Sequence, residues 1–141
     1  SAFKLEKFLT GIFLDYQQEN RTFSIADMGH GYGFIFRKGK LLRMKSAQKS
    51  LPLGVSTDVS LEMFRYSLKK GDILLLMTVG MLEQTGQDEG EYGLDRIKKV
   101  LADCQDQALA DIRVHLLEDF HAWRGTNPLH DDVTFLLLRQ S

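Results

Sequence analysis

Apolar and polar residues along the chain follow a strand rhythm through the first half and a helical rhythm through much of the second. Phe8–Tyr16 is apolar and gives way to the polar run Gln17-Gln18-Glu19-Asn20, which predicts a strand and a turn. Arg21–Asp27 alternates, with Phe23 and Ile25 on one face. Gly29-His30-Gly31-Tyr32-Gly33 reads as a glycine-rich loop. Phe34–Arg37 and Lys40–Met44 flank Lys38-Gly39, a tight hairpin signal. Val59, Leu61 and Met63 alternate with Ser60 and Glu62, and the apolar phase then flips to Phe64, Tyr66 and Leu68. Such a flip predicts a β-bulge near Met63–Phe64. Lys70-Gly71-Asp72 turns the chain into Ile73–Met77, apolar at every position and therefore expected as a central strand covered on both faces.

Leu94, Ile97, Leu101 and Cys104 then recur at helical spacing, and Leu109, Ile112, Leu116, Leu117, Phe120 and Trp123 form a longer stripe. Asp106 stands where an N-cap is expected. After Gly125-Thr126-Asn127-Pro128 the run Val133–Leu138 predicts another buried strand. A meander, a helix pair and a returning strand make an α+β arrangement with helices on one face. No repeat, low-complexity stretch or linker divides the chain, and Pro52 and Pro128 both read as loop residues.

Composition narrows the class. The 141 residues suit one domain, taken as residues 1–141, with 43% hydrophobic and 26% charged residues as in ordinary globular proteins. A formal net charge of −1 gives no footprint for nucleic acid or a membrane surface. A single cysteine, Cys104, excludes an internal disulfide and suits a reducing, cytoplasmic compartment. No apolar run approaches the roughly 20 residues that span a bilayer, and no signal-peptide pattern opens the chain. It begins at Ser1 without an initiating Met, so it is read as part of an intracellular multidomain protein.

Candidate chemistry is sparse. Asp131-Asp132 precedes the last strand, where neighbouring side chains point to opposite faces, so one acid at most serves a given site. The plain alternative is a solvated turn in which Asp132 or Thr134 makes a local backbone bond. His30 in its loop is expected to be a structural hydrogen-bonder, and His130 a neighbour of the acids. His115 and His121 are six apart on a helix and share no face. There is no Cys-x-x-Cys, His-Glu-x-x-His, P-loop or nucleophile-elbow pattern, and a strand rather than a helix follows the glycines at 29–33. Cys104 is expected to be packed and inert.

Five stretches in order carry a resemblance: GHGYGFIFRKGKLLRM, LPLGV, LKKGDILLLMTVGMLEQ, EYGLDRIKKVL and HDDVTFLLLR. Together they resemble the C-terminal two-thirds of a SpoIIE/RsbU-type phosphatase domain of the metal-dependent PPM (PP2C-like) protein phosphatases. The resemblance covers about Phe8 to Arg139. It implies antiparallel sheets in a sandwich with helices on the outer face. It also implies hydrolysis of phosphoserine or phosphothreonine on a regulatory protein, such as an anti-sigma-factor antagonist, by two Mn²⁺ or Mg²⁺ ions ~4 Å apart. Asp131 matches a family metal ligand. Thr78-Val79-Gly80 stands where the family reads Thr-Asp-Gly, so Val79 marks a lost ligand, with Thr78, Gly80 and Asp132 beside the ligand positions. The family's N-terminal motifs have no counterpart, and Asp27, despite its Asp-Met-Gly-His-Gly context, is given no metal role. Val79 reads either as a native departure or as a substitution that relieves carboxylate repulsion. The chain is thus expected to be weak or inactive alone, with a non-catalytic, partner-binding pseudophosphatase as the alternative. With that third of the fold missing, Phe23, Ile25 or Phe34 are expected to need cover, and self-association, as a homodimer or otherwise, is expected to supply it.

Overall fold

A computed structural model describes residues 7–45, 51–57, 61–88 and 90–141. The chain forms two compact units, one of Ser1–Gly31 with Met44–Lys69 and one of Tyr32–Arg43 with Lys70–Ser141. In the first, β1 (Gly11–Gln17), β2 (Thr22–Met28) and β5 (Phe64–Ser67) make an antiparallel sheet in the order β1-β2-β5. The turn between β1 and β2 ends at Arg21, whose φ of 55° is left-handed. Asn20 secures it, its side-chain oxygen accepting from the Thr22 hydroxyl at 2.6 Å. Phe23 and Ile25 are buried as the alternation predicts, and Phe23 stacks on its cross-strand partner Tyr66 at 5.3 Å.

The second unit carries β3 (Gly33–Arg37), β4 (Lys40–Arg43), β6 (Ile73–Met77) and β7 (Phe135–Arg139), antiparallel throughout in the order β4-β3-β6-β7. Lys38 and Gly39 both take positive φ, 48° and 73°, as a two-residue hairpin turn requires. Helices α1 (Val79–Leu82), α2 (Gly93–Cys104) and α3 (Leu109–Arg124) follow β6. Ile73, Leu75 and Met77 point from one face of β6 into a core with Phe34 and Phe36 of β3, Ile97, Leu101 and Cys104 of α2, and Ile112, Leu116 and Phe120 of α3. Burying each such side chain contributes about 1.5–3 kcal/mol, so this helix-covered face supplies most of the unit's stability. At the start of β6, Asp72 is buried and takes a forked bond from Arg37 of β3, with Nε 3.0 Å from each carboxylate oxygen.

Several expectations change. The alternation at 61–63 is not strand: Leu61 and Met63 are exposed and β5 begins at Phe64, so the phase flip marks a strand start rather than a bulge. Val59 and Ser60 lie outside the described residues. Phe8 and Leu9 are exposed and precede β1. Asp106 does not cap α3, which starts after Ala108 with no side-chain cap. Phe23, Ile25 and Phe34 are all buried, so the ground given for self-association is absent. The last strand is not buried on both faces: β7 is a sheet edge, with Leu136 at 51% and Leu138 at 40% exposure. Among the described residues no helix is long and apolar enough to cross a membrane.

Helices α2 and α3 are joined by a polar clamp. Asp119 accepts from the Tyr92 hydroxyl at 2.8 Å and from two Arg96 nitrogens at 3.1 Å, while the Arg96 guanidinium lies 4.7 Å over the Trp123 ring. Burial disfavours the charged carboxylate, but the hydrogen bonds from Arg96 and Tyr92, with the positive charges of Arg96 and Lys99, outweigh it and hold Asp119 below its usual range. Burial first, then the bond to Asp119, pushes the Tyr92 hydroxyl far up. A depressed carboxyl contributes stability above its unfolded pKa, about 4, and loses it as pH falls through the folded value. Asp119→Asn is therefore expected to lower urea-unfolding stability by about 1–2 kcal/mol at pH 7, and by less as pH drops below about 4. A pH-independent difference would show that the carboxylate's charge contributes nothing.

Candidate functional site

The end of β6 and the approach to β7 are bound together by one hydroxyl. Thr78 Oγ1 donates to the Asp132 carbonyl at 3.0 Å and accepts from the Thr134 N–H at 2.9 Å, while the Thr78 N–H donates to the Thr134 carbonyl at 2.9 Å. Threonine suits this place because it is β-branched, as strands favour, and carries both a donor and an acceptor. Two residues on, Gly80 is buried, and a Cβ there would stand 2.5 Å from the Asp132 carbonyl oxygen and 3.2 Å from Asp131 Cβ. The backbone of α1 thus lies directly against the Asp131-Asp132 segment, and only glycine permits that approach. Val79, half-buried, is the first residue of α1 between these two anchors.

Asp131 and Asp132 are both exposed. Asp131 Oδ1 accepts the Asp132 N–H at 2.8 Å, so the local bond expected here is made by the first acid, and Thr134 contributes through its backbone. The structure brings Thr78 and Gly80 against Asp131 and Asp132, with Val79 between the first two in the chain.

What holds the segment was not visible in the sequence. Gln84 is fully buried; its amide nitrogen donates to the carbonyls of Pro128, at 3.0 Å, and Thr85, and its oxygen accepts the His130 N–H at 3.2 Å. Asn127 donates to the carbonyls of Thr85 and Gly86, Trp123 Nε1 donates to the Gln84 carbonyl, and the His130 ring meets the Thr85 hydroxyl at 3.1 Å. These bonds pin residues 127–130 to residues 84–86 and so fix where Asp131 emerges. Neither the type nor the spacing of Gln84 signals this, because Pro128 and His130 lie more than forty residues away.

His115 and His121 lie on α3 away from this segment, and Cys104 is buried with its thiol donating to the Val100 carbonyl at 2.9 Å. In the first unit, Asp27 accepts the N–H groups of His30 and Gly31, one on each oxygen at 2.7 Å, which shapes the glycine loop.

Comparison with known proteins gives this geometry a context. A profile of the family described as Stage II sporulation protein E (SpoIIE) matches residues 1–141. The chain belongs to the SpoIIE family. It is 28% identical over 138 residues to phosphoserine phosphatase RsbU of Bacillus subtilis (strain 168), covering 94% of this chain and 39% of that protein. Its fold matches the SiaA-PP2C domain of Pseudomonas aeruginosa with a TM-score of 0.79 at 21% identity, over 94% of this chain and 52% of that one. It also matches the catalytic domain of the serine/threonine phosphatase PstP, solved with two manganese ions, with a TM-score of 0.63 at 15% identity, over 91% of this chain and 56% of that one. The chain therefore spans well under two thirds of the length of these relatives. The chain's antiparallel sheets and helices match the fold of these PP2C-like domains, as the sequence led one to expect.

A pair of hard cations needs several carboxylate oxygens converging on one point. Among the described residues no group of three or more His, Cys, Asp or Glu side chains is so placed. At the strand end the Thr78 hydroxyl and the Asp132 carbonyl are already bonded to each other, residue 79 is apolar, and Asp131 Oδ1 is taken up by the Asp132 N–H. These residues do not fit a two-metal centre.

The anchors make two expectations. Gly80→Ala should destabilise the chain by about 2–4 kcal/mol, since the carbonyl it strikes is backbone that cannot swing aside. Gln84→Leu should cost about 1–3 kcal/mol by leaving the Pro128 carbonyl and His130 N–H unpaired. Urea denaturation of both variants reads these values, and a change within about 0.5 kcal/mol for either would remove that residue from the anchoring role.

Proposed function

We propose that the chain is part of a SpoIIE/RsbU-type, metal-dependent protein serine/threonine phosphatase, directed in the cytoplasm at a phosphorylated regulatory protein, and that these 141 residues by themselves hydrolyse phosphoesters weakly or not at all. The observation that carries the reading is Val79, apolar and set between Thr78 and Gly80, whose own neighbours are the Asp131-Asp132 segment, at the position where the resemblance puts a ligand carboxylate. Supporting it, residue 79 carries no oxygen ligand in a segment whose neighbour Gly80 packs on Asp131 and Asp132. Valine supplies no lone pair for Mn²⁺ or Mg²⁺ and no field to acidify a bridging water. The same observation favours a second reading, a non-catalytic pseudophosphatase that keeps the fold to bind a partner.

Calorimetry with Mn²⁺ and a phosphoserine-peptide assay, on the chain and on Val79→Asp, test this. The unaltered chain is expected to bind Mn²⁺ no tighter than about millimolar and to turn over no substrate above background. Val79→Asp is expected to tighten Mn²⁺ binding about tenfold. It should also cost about 1–2 kcal/mol of stability that added Mn²⁺ restores, because a half-buried carboxylate beside Asp131 is unfavourable until a cation neutralises it. Tight Mn²⁺ binding with hydrolysis by the unaltered chain would overturn the reading; a Val79→Asp variant indifferent to Mn²⁺ would favour the pseudophosphatase.

A further inference from the structure

Trp123, the one tryptophan of the chain, belongs both to the α2–α3 clamp and to the Gln84 anchor. Arg96 of α2 holds its guanidinium 4.7 Å from the indole centroid and 5.9 Å from that of the Tyr92 ring. Its Nε and one terminal nitrogen donate to Asp119, each at 3.1 Å, so the cation's direction is fixed by a carboxylate on the same helix as the indole. The indole in turn donates from Nε1 to the Gln84 carbonyl at 3.2 Å. That carbonyl also accepts the Tyr92 N–H at 2.9 Å, so two members of the clamp hold the main chain at residue 84.

The indole also sets the course of the chain just beyond. Gly86 is buried, and a Cβ there would stand 2.6 Å from Trp123 Cε2 and 2.9 Å from Cζ2, so its backbone lies directly on the ring. From residues 84–86 come the bonds that reach the approach to Asp131. The Thr85 and Gly86 carbonyls accept from Asn127 Nδ2, and the Gln84 side chain pairs with the Pro128 carbonyl and the His130 N–H. Each contact is weak alone, but they stand in series. The bonds to residues 127–130 form only while residues 84–86 keep their place, and the indole keeps them there.

We infer that Trp123 is a positioning residue that ties the α2–α3 clamp to the approach to Asp131. Arg96 holds the indole, the indole holds residues 84–86, and these hold residues 127–130. A loosening of α2 against α3 at Arg96 therefore frees the segment that delivers Asp131, whatever residue 79 carries and whether or not the site hydrolyses a phosphoester.

Amide hydrogen exchange at His130 reads the anchor directly, because that N–H is bonded to Gln84 Oε1. Arg96 is 40% exposed, so Arg96→Met removes the contact without opening the core. It should speed exchange at His130 at least about fivefold. Ile35→Val, which trims a buried side chain on β3, is the control for general destabilisation and should leave that exchange within about twofold. In Trp123→Leu, which has neither ring nor Nε1, adding Arg96→Met should change it by less than about twofold. Unchanged exchange in Arg96→Met, or equal acceleration in Arg96→Met and Ile35→Val, would overturn the inference. So would the full effect of Arg96→Met persisting in the Trp123→Leu chain, because the link would then bypass the indole.

Discussion

The helical unit depends on how β6 meets β7. β6 lies between β3 and β7 and carries the apolar face on which α2 and α3 rest, so its position sets the core. Its two ends are fastened differently. At the start, Asp72 is held by Arg37 of β3, and the backbone of Asp72 and Gly71 bonds Gln140 after β7. At the finish, the Thr78 hydroxyl stitches the sheet to the 132–134 backbone and Gly80 lets α1 press against it. The first is a charge pair with a buried carboxylate and a partly exposed guanidinium; the second is neutral hydrogen bonding plus the absence of a side chain.

Much of this was legible in the sequence, for identifiable reasons. Ile73–Met77 announces itself because a strand flanked by two others and covered on both faces leaves no place for a polar residue. Lys38-Gly39 announces a hairpin because its turn demands positive φ at two positions. The stripes of α2 and α3 are long enough for helical periodicity to show. By contrast α1 has four residues, too few for any period. The run at 133–138 reads the same whether a strand is central or at an edge, since that distinction belongs to topology and not to the strand. Asp106 has the chemistry of a cap, but the cap position of α3 is Ala108, two residues past it.

The candidate site divides along the same line. Thr78, Val79, Gly80, Asp131 and Asp132 were singled out as a set only through the resemblance to the family's motifs. The apparatus that holds them, Gln84 with Asn127, His130 and Trp123, is spread over nearly fifty residues and is assembled only by folding. A buried glutamine satisfied by two distant backbone groups leaves no local trace.

The division of labour around residue 79 has a further meaning. Its neighbours on either side do the holding, one through a hydroxyl and the other through having no side chain. The path of the main chain is settled without reference to what residue 79 carries. Such a position is an exchangeable socket: its side chain can be replaced while both anchors, the Thr78 hydroxyl and the bare Gly80 backbone, stay as they are. Chemistry and shape are inherited separately at this corner of the molecule, and a change of trade needs no change of frame.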